Sequence, residues 1–218
     1  MKGLLIKDLK LFQLQGKFFI CFVIAIGMIL TFINHNATFL LAFLTFVMSN
    51  FSFSTISYDE FDNGYAFLFT LPITRKRYVM EKYLFTILLS GGACLFSIVF
   101  AIIYNQWNTS MPSLDLILIG LMILSIVFIF QSLILPCIFK FGGEKGRIAI
   151  LIVFGLITII GFVFIKGMQM LGFDIGYILN HLSVINIGLV ILIMFIVALL
   201  SLFISMQISI VIMNKKEF

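Results

Sequence analysis

Six long apolar stretches govern what this chain can fold into: Phe18–Ile33, Phe39–Ile56, Tyr83–Tyr104, Leu114–Phe139, Ile148–Ile165 and Leu182–Met213. A helix needs about 20 apolar residues, within a range of about 17–25, to cross the hydrocarbon of a bilayer. The first stretch is short and borrows from Leu11–Gln15. The last would be about 48 Å long as a helix, so it must tilt, break or run on beyond the membrane. Backbone groups in lipid have to be satisfied within the chain, which leaves helices or a closed barrel. Continuous apolar runs without period-two alternation exclude the barrel. The predicted fold class is an all-α membrane protein with six transmembrane helices. Composition agrees: 62% of residues are hydrophobic and 11% charged, whereas a soluble domain carries roughly a quarter charged residues. At 218 residues, six spans leave no room for a soluble catalytic domain.

Charge orients the bundle. Lys2, Lys7, Lys10 and Lys17 precede the first span. Arg75, Lys76, Arg77 and Lys82 follow the second, Lys140, Lys145 and Arg147 follow the fourth, and Lys215 and Lys216 follow the last. Lys166 alone among the 14 Lys and Arg residues falls on the other side. The positive-inside rule therefore predicts that both termini are cytoplasmic. Tyr104, Trp107 and Tyr177 fall at the outer interface, and Tyr58, Tyr78 and Tyr83 at the inner one, as the aromatic belts require. Because the cations flank spans instead of forming one face, the net charge of +5 is no nucleic-acid footprint. Residues 1–17 read as an amphipathic interfacial helix, with Leu4, Leu5, Leu11 and Phe12 opposite Lys2, Lys10, Gln13 and Lys17. Asn34-His35-Asn36-Ala37 is a poor cleavage site and five spans follow, so the first span is expected to remain uncleaved. Residues 214–218 form a short cytoplasmic tail.

The segment 57–82 breaks the pattern of basic loops. Ser57-Tyr58-Asp59-Glu60 fits a capping box, and Asp59, Glu60 and Asp62 suit the first turn of a helix. Phe61, Tyr65, Leu68 and Phe69 recur at helical spacing. Leu71-Pro72 stops that helix, and Thr74 caps the next, which opens Arg75-Lys76-Arg77-Tyr78. An acidic patch is repelled by an anionic membrane surface, which favours a protein partner for 59–70. An interfacial helix that fills space beneath the bundle is the other reading.

The string Tyr58-Asp59-Glu60…Gly64-Tyr65…Thr70-Leu71-Pro72-Ile73-Thr74-Arg75-Lys76…Tyr78-Val79…Glu81-Lys82-Tyr83 resembles the small permease subunits of type 2 ATP-binding cassette (ABC) transporters. It is similar to the single-domain bacterial kind found in peptide and bacteriocin export systems, including phenol-soluble modulin exporters. Lys7-Asp8-Leu9 in the first helix, and Leu135-Pro136 with Lys140-Phe141-Gly142 after the fourth span, agree with that family. The resemblance covers the whole chain, with its distinctive residues in about 30 positions. It implies that 57–71 is a cytoplasmic coupling helix docking on a separate ATPase subunit. The implied contact residues are Asp59, Glu60, Phe61, Asp62, Tyr65, Leu68, Phe69, Arg75 and Lys76. By the same resemblance 1–17 is a connecting helix, 140–147 a second contact, and 166–183 an external, re-entrant segment. A second permease copy, homo- or heteromeric, completes the implied assembly in the bacterial cell membrane.

Other chemistry finds little support. Gly142-Gly143-Glu144-Lys145-Gly146-Arg147 lacks the spacing of a phosphate-binding loop, and no strand precedes it. ATP and Mg would therefore be bound by the partner, and no cofactor by this chain. His35 and His181 are far apart, no His-Glu-x-x-His occurs, and Cys21, Cys94 and Cys137 fit no metal spacing, so no metal or catalytic site is expected. The spans hold no Asp, Glu, Lys or Arg except at their edges, Asp115 and Lys82, which disfavours an ion-coupled carrier. Asn50, Ser54, Gln131 and Gln207 lie at membrane depth. They serve either interhelical hydrogen bonding or the lining of a cavity for an amphipathic substrate. The alternative function is a non-transporting immunity or sensor protein that binds a peptide or lipid.

Overall fold

A computed structural model describes residues 2–34, 37–61, 64–108, 112–170 and 187–216. These form six helices and, among the described residues, no strand: α1 (Lys2–Asn34), α2 (Thr38–Glu60), α3 (Gly64–Leu68), α4 (Arg75–Asn108), α5 (Ser113–Met170) and α6 (Ile187–Lys215). Four helical segments are long and apolar enough to span a bilayer: Thr38–Glu60, Arg75–Gln106, Ser113–Gly143 and Ile187–Lys215. They contain the second, third and fourth predicted spans and the described part of the last. The first and fifth predicted spans are represented by shorter apolar helices, Cys21–Ile33 and Phe154–Gly167.

Three boundaries differ from expectation. Residues 1–17 are not a separate element: α1 runs unbroken from Lys2 to Asn34, because no proline interrupts it. The capping box at Ser57 does not form. Helix α2 continues to Glu60, and Ser57 Oγ donates instead to the Phe53 carbonyl at 3.0 Å. The loop 140–147 is helical except at Gly142, whose φ of 85° and ψ of 172° break α5. That conformation is essentially reserved for glycine. The chain folds back there. In a straight helix residues eight apart are separated by about 12 Å, yet a Cβ on Gly146 would lie 3.5 Å from Ile138 Cα.

Other local readings hold. Thr74 accepts a hydrogen bond at Oγ1 from the Arg77 N–H at 3.3 Å, capping α4 as its position before Arg75 predicts. Pro72 lies between α3 and α4, and Pro112 just precedes α5.

Helix α2 packs against α1, α3, α4 and α5, and α6 lies against α4 and α5. The main core includes Ile56, Tyr65, Tyr78, Tyr83, Leu135, Phe139, Ala198 and Met213. A second cluster, Leu41, Ala101, Tyr104 and Leu116, closes the opposite pole. Ser49, Ser52, Thr55, Thr86, Ser90 and Ser97 are buried, and each donates its hydroxyl to a carbonyl three or four residues back. Buried hydroxyls in an apolar helix are satisfied this way at little cost.

Proline 136 has a consequence for packing. It lies inside α5 and lacks the N–H that would bond the carbonyl of Ser132. Ser205 of α6 donates its hydroxyl to that carbonyl at 2.6 Å. With its proton committed there, Ser205 accepts from Tyr83 OH, 2.6 Å away, and Ser209 donates to Tyr83 at 2.8 Å. One missing backbone donor thus organises a polar chain across α4, α5 and α6.

Candidate functional site

The first turns of α1, the ends of α2 and α6, the start of α4 and the Gly142 break meet at one pole. Its interior is ionic. Lys82 of α4 is fully buried. Its ammonium donates to Asp8 of α1 and to Thr55 Oγ1 of α2 at 3.2 Å, and pairs with Asp59 Oδ2 of α2 at 2.8 Å. Lys7 pairs with the other Asp59 oxygen, and Tyr78 donates to Asp59 Oδ2 at 3.0 Å. Three helices are therefore tied through the buried charges of Lys82, Asp8 and Asp59, with Lys7 at the edge of the cluster. Such pairs add modest net stability when intact, but a lone survivor is very costly.

A second set of polar contacts surrounds the Gly142 break. Glu60 accepts the Gly143 N–H and pairs with Lys216 at 3.1 Å. Lys216 also donates to the Phe139 carbonyl at 3.4 Å. A Cβ at Gly142 would lie 2.8 Å from the Glu60 carboxyl carbon, so the close approach of carboxylate to backbone requires glycine there. Arg75 donates to the Met213 and Asn214 carbonyls, at 3.2 and 2.8 Å. It thereby satisfies the end of α6, which leaves its last carbonyls without intrahelical donors.

Helix α3 lies over this interior. Tyr65 is buried, with its ring 5.8 Å from Tyr78 and 6.2 Å from Phe69. Burial pushes the Tyr65 hydroxyl well above the usual phenol range. The Lys216 ammonium sits 5.3 Å above the Tyr65 ring, and the Arg75 guanidinium 5.8 Å from the Phe69 ring. Leu68 is buried as well.

The predicted contact residues thus divide. Asp59, Tyr65 and Leu68 face inward, Glu60, Phe69 and Arg75 are half-buried and engaged, and only Phe61 and Lys76 are fully outward. Asp62 lies outside the described residues, as does most of 166–183. The acidic patch inferred from the sequence is therefore not a free surface at Asp59 or Glu60. What faces out instead is apolar: Phe61 is 67% exposed and Phe67 73%, with Tyr58 and Leu71 also exposed. Phe67, Tyr58 and Leu71 were missed because the helical stripe was phased through a continuous helix from Ser57. Asn63-Gly64, a turn-forming dipeptide, was the signal that the phase changes before α3.

Gln131 is buried and donates to Ser49 Oγ at 2.9 Å, joining α5 to α2. Asn50 donates to the Phe46 carbonyl at 2.7 Å within its own helix, and Ser54 is half-buried. Gln207 is exposed on α6, while its neighbours Ser205 and Ser209 face inward.

Comparison with known proteins places residues 3–214 in a match to the family described as ABC-2 family transporter protein. No curated protein and no solved structure matches the chain.

Proposed function

The chain belongs to the ABC-2 family of transporter proteins, and from that premise we propose that it is the permease subunit of an ATP-driven exporter. In this reading six helices cross the membrane, both termini are cytoplasmic, and the ionic pole faces the ATPase. The ATPase is a separate P-loop subunit that binds ATP and Mg. A second permease subunit completes the transport path. The substrate class is an amphipathic or hydrophobic peptide, which the apolar composition and sparse buried charge would accommodate.

The observation that carries this reading is the construction around α3. Phe61 and Phe67 project from a pole that is otherwise rich in Lys and Arg, where lipid contact does not explain them. Exposed aromatic residues of this kind mark protein interfaces. Behind them, Tyr65 and Tyr78 connect α3 to the buried Asp59–Lys82 pairs. A push on α3 would therefore be transmitted to α1, α2 and α4 through groups that cannot slide independently.

Co-expression with a P-loop ATPase tests the proposal. Phe61→Ala with Phe67→Ala should abolish co-purification of the ATPase while the thermal unfolding of the permease is unchanged. Retained pairing would remove α3 and its flanks as the docking element. Reconstitution separates the alternatives. An immunity or sensor protein would bind peptide without ATP-dependent flux, and a self-sufficient carrier would transport without the partner.

A further inference from the structure

The charges at the ionic pole do not balance. Glu81 of α4 is fully buried, and neither of its carboxyl oxygens has a hydrogen-bond partner. Asp8 Oδ1 is likewise buried without a donor. Among the described residues, the nearby cations are already engaged. Lys82 has three N–H groups and three oxygen partners, on Asp8, Asp59 and Thr55. Lys7 donates to Asp59, and its ammonium stands 3.4 Å from Asp8 Oδ1 without a hydrogen bond. Two ammonium groups therefore face three carboxyls, from Asp8 on α1, Asp59 on α2 and Glu81 on α4. Tyr78 gives its proton to Asp59. Lys140 of α5, Lys215 of α6 and Lys216 just beyond it line a separate cavity with Ile212.

The Lys82 ammonium bonds Asp8, and Glu81, its neighbour in sequence on α4, is buried at the same pole with unpartnered oxygens, as is Asp8 Oδ1. Two ionised carboxylates have no hydrogen to share, and a bare like-charged pair in a buried site is strongly unfavourable. One added positive charge removes the conflict, and the described residues offer no cluster of three or more metal-ligating side chains to hold a metal ion.

We propose that Asp8 and Glu81 form a proton-binding site, sharing one proton that joins the first turns of α1 to the start of α4. Glu81 supplies the hydrogen and Asp8 Oδ1 accepts it, which satisfies the unpartnered oxygen of Asp8 and makes the cluster neutral. The site is independent of ATPase docking and depends only on the burial of these two side chains. Loss of the proton leaves an uncompensated negative charge between α1 and α4, so the attachment of α1 weakens as the pH rises.

Infrared difference spectroscopy on the full chain in lipid nanodiscs tests this. The wild-type protein should show the C=O stretch of one protonated carboxyl at neutral pH. The band should shift in D2O and disappear on titration into alkali, with faster amide exchange in the first turns of α1. Glu81→Gln, which keeps a hydrogen to donate, should lose the band and the alkaline rise in exchange. Absence of the band in wild-type protein at neutral pH overturns the proposal, and this measurement needs no variant to fold. A band that survives both Glu81→Gln and Asp8→Asn also overturns it. So does attachment of α1 that responds to sodium or potassium concentration instead of pH, since the balancing charge would then be a bound cation.

Discussion

The hydroxyl of Ser205 lies 2.6 Å from the carbonyl of Ser132 and donates to it, filling the position that the missing N–H of Pro136 leaves vacant. A helix interrupted by proline is tolerated in a membrane only when another group satisfies the freed carbonyl. Here that group comes from α6, so a local defect in α5 specifies which face of α6 packs against it. Ser205→Ala should cost about 1–3 kcal/mol, since it strands the Ser132 carbonyl, while Tyr83 can still donate to Ser209. In a Pro136→Ala background, where the intrahelical bond to Ser132 is restored, the same substitution should cost less. A double-mutant cycle on thermal unfolding measures the difference, and additive effects would disprove the compensation.

Lys82 and Asp8 are brought together by tertiary structure alone, being 74 positions apart in sequence. Lys82→Met should destabilise the protein by about 3–5 kcal/mol, because Asp8 and Asp59 then lose a shared buried cation. Unfolding monitored by tryptophan fluorescence in detergent is a suitable measure. A loss below about 1 kcal/mol, the value typical of surface pairs, would show that the pole is solvated.

Gly142 should not accept alanine. Its φ of 85° costs a side chain about 1–3 kcal/mol, and the added Cβ would push the Glu60 carboxylate away from the Gly143 N–H. Expression and melting temperature should both fall for Gly142→Ala. Ala at Gly155, where nothing lies within 4 Å of the new Cβ, serves as the tolerated control.

Tyr65 gives a pH signature. Burial holds its hydroxyl protonated in the folded state to higher pH than in the unfolded chain. The folded value exceeds the unfolded one, so its contribution is intact below about pH 10 and is lost as pH rises beyond it. Tyr65→Phe should flatten that strongly alkaline decline in stability.

Gln131 separates packing from transport. Its amide donates to Ser49, while its own carbonyl oxygen is buried without a partner. Gln131→Met conserves volume and removes that unsatisfied oxygen, so stability should change by less than about 1.5 kcal/mol. If Gln131 only packs, ATP-dependent export should be retained; a selective loss of export at unchanged stability would place it on the substrate path.

The order of residues is enough to set the helical, membrane-embedded character of the chain, the positions of its long apolar segments, the cap at Thr74 and the concentration of cations beside particular spans. Those properties are local: hydropathy, breakers and capping chemistry act within a turn or two of the residue that carries them. Where local signals competed, reading failed, as when the capping box at Ser57 yielded to continuation of α2. Packing between helices is what turns Asp59 inward to Lys7 and Lys82, seats Glu60 at the Gly142 break, and leaves Phe67 facing out in place of Tyr65. The reason is physical. Pairing of buried charges minimises an energy summed over α1, α2 and α4 together, and the side chains of α3 take their directions from where that short helix begins. Neither quantity is contained in the spacing of residues along one segment.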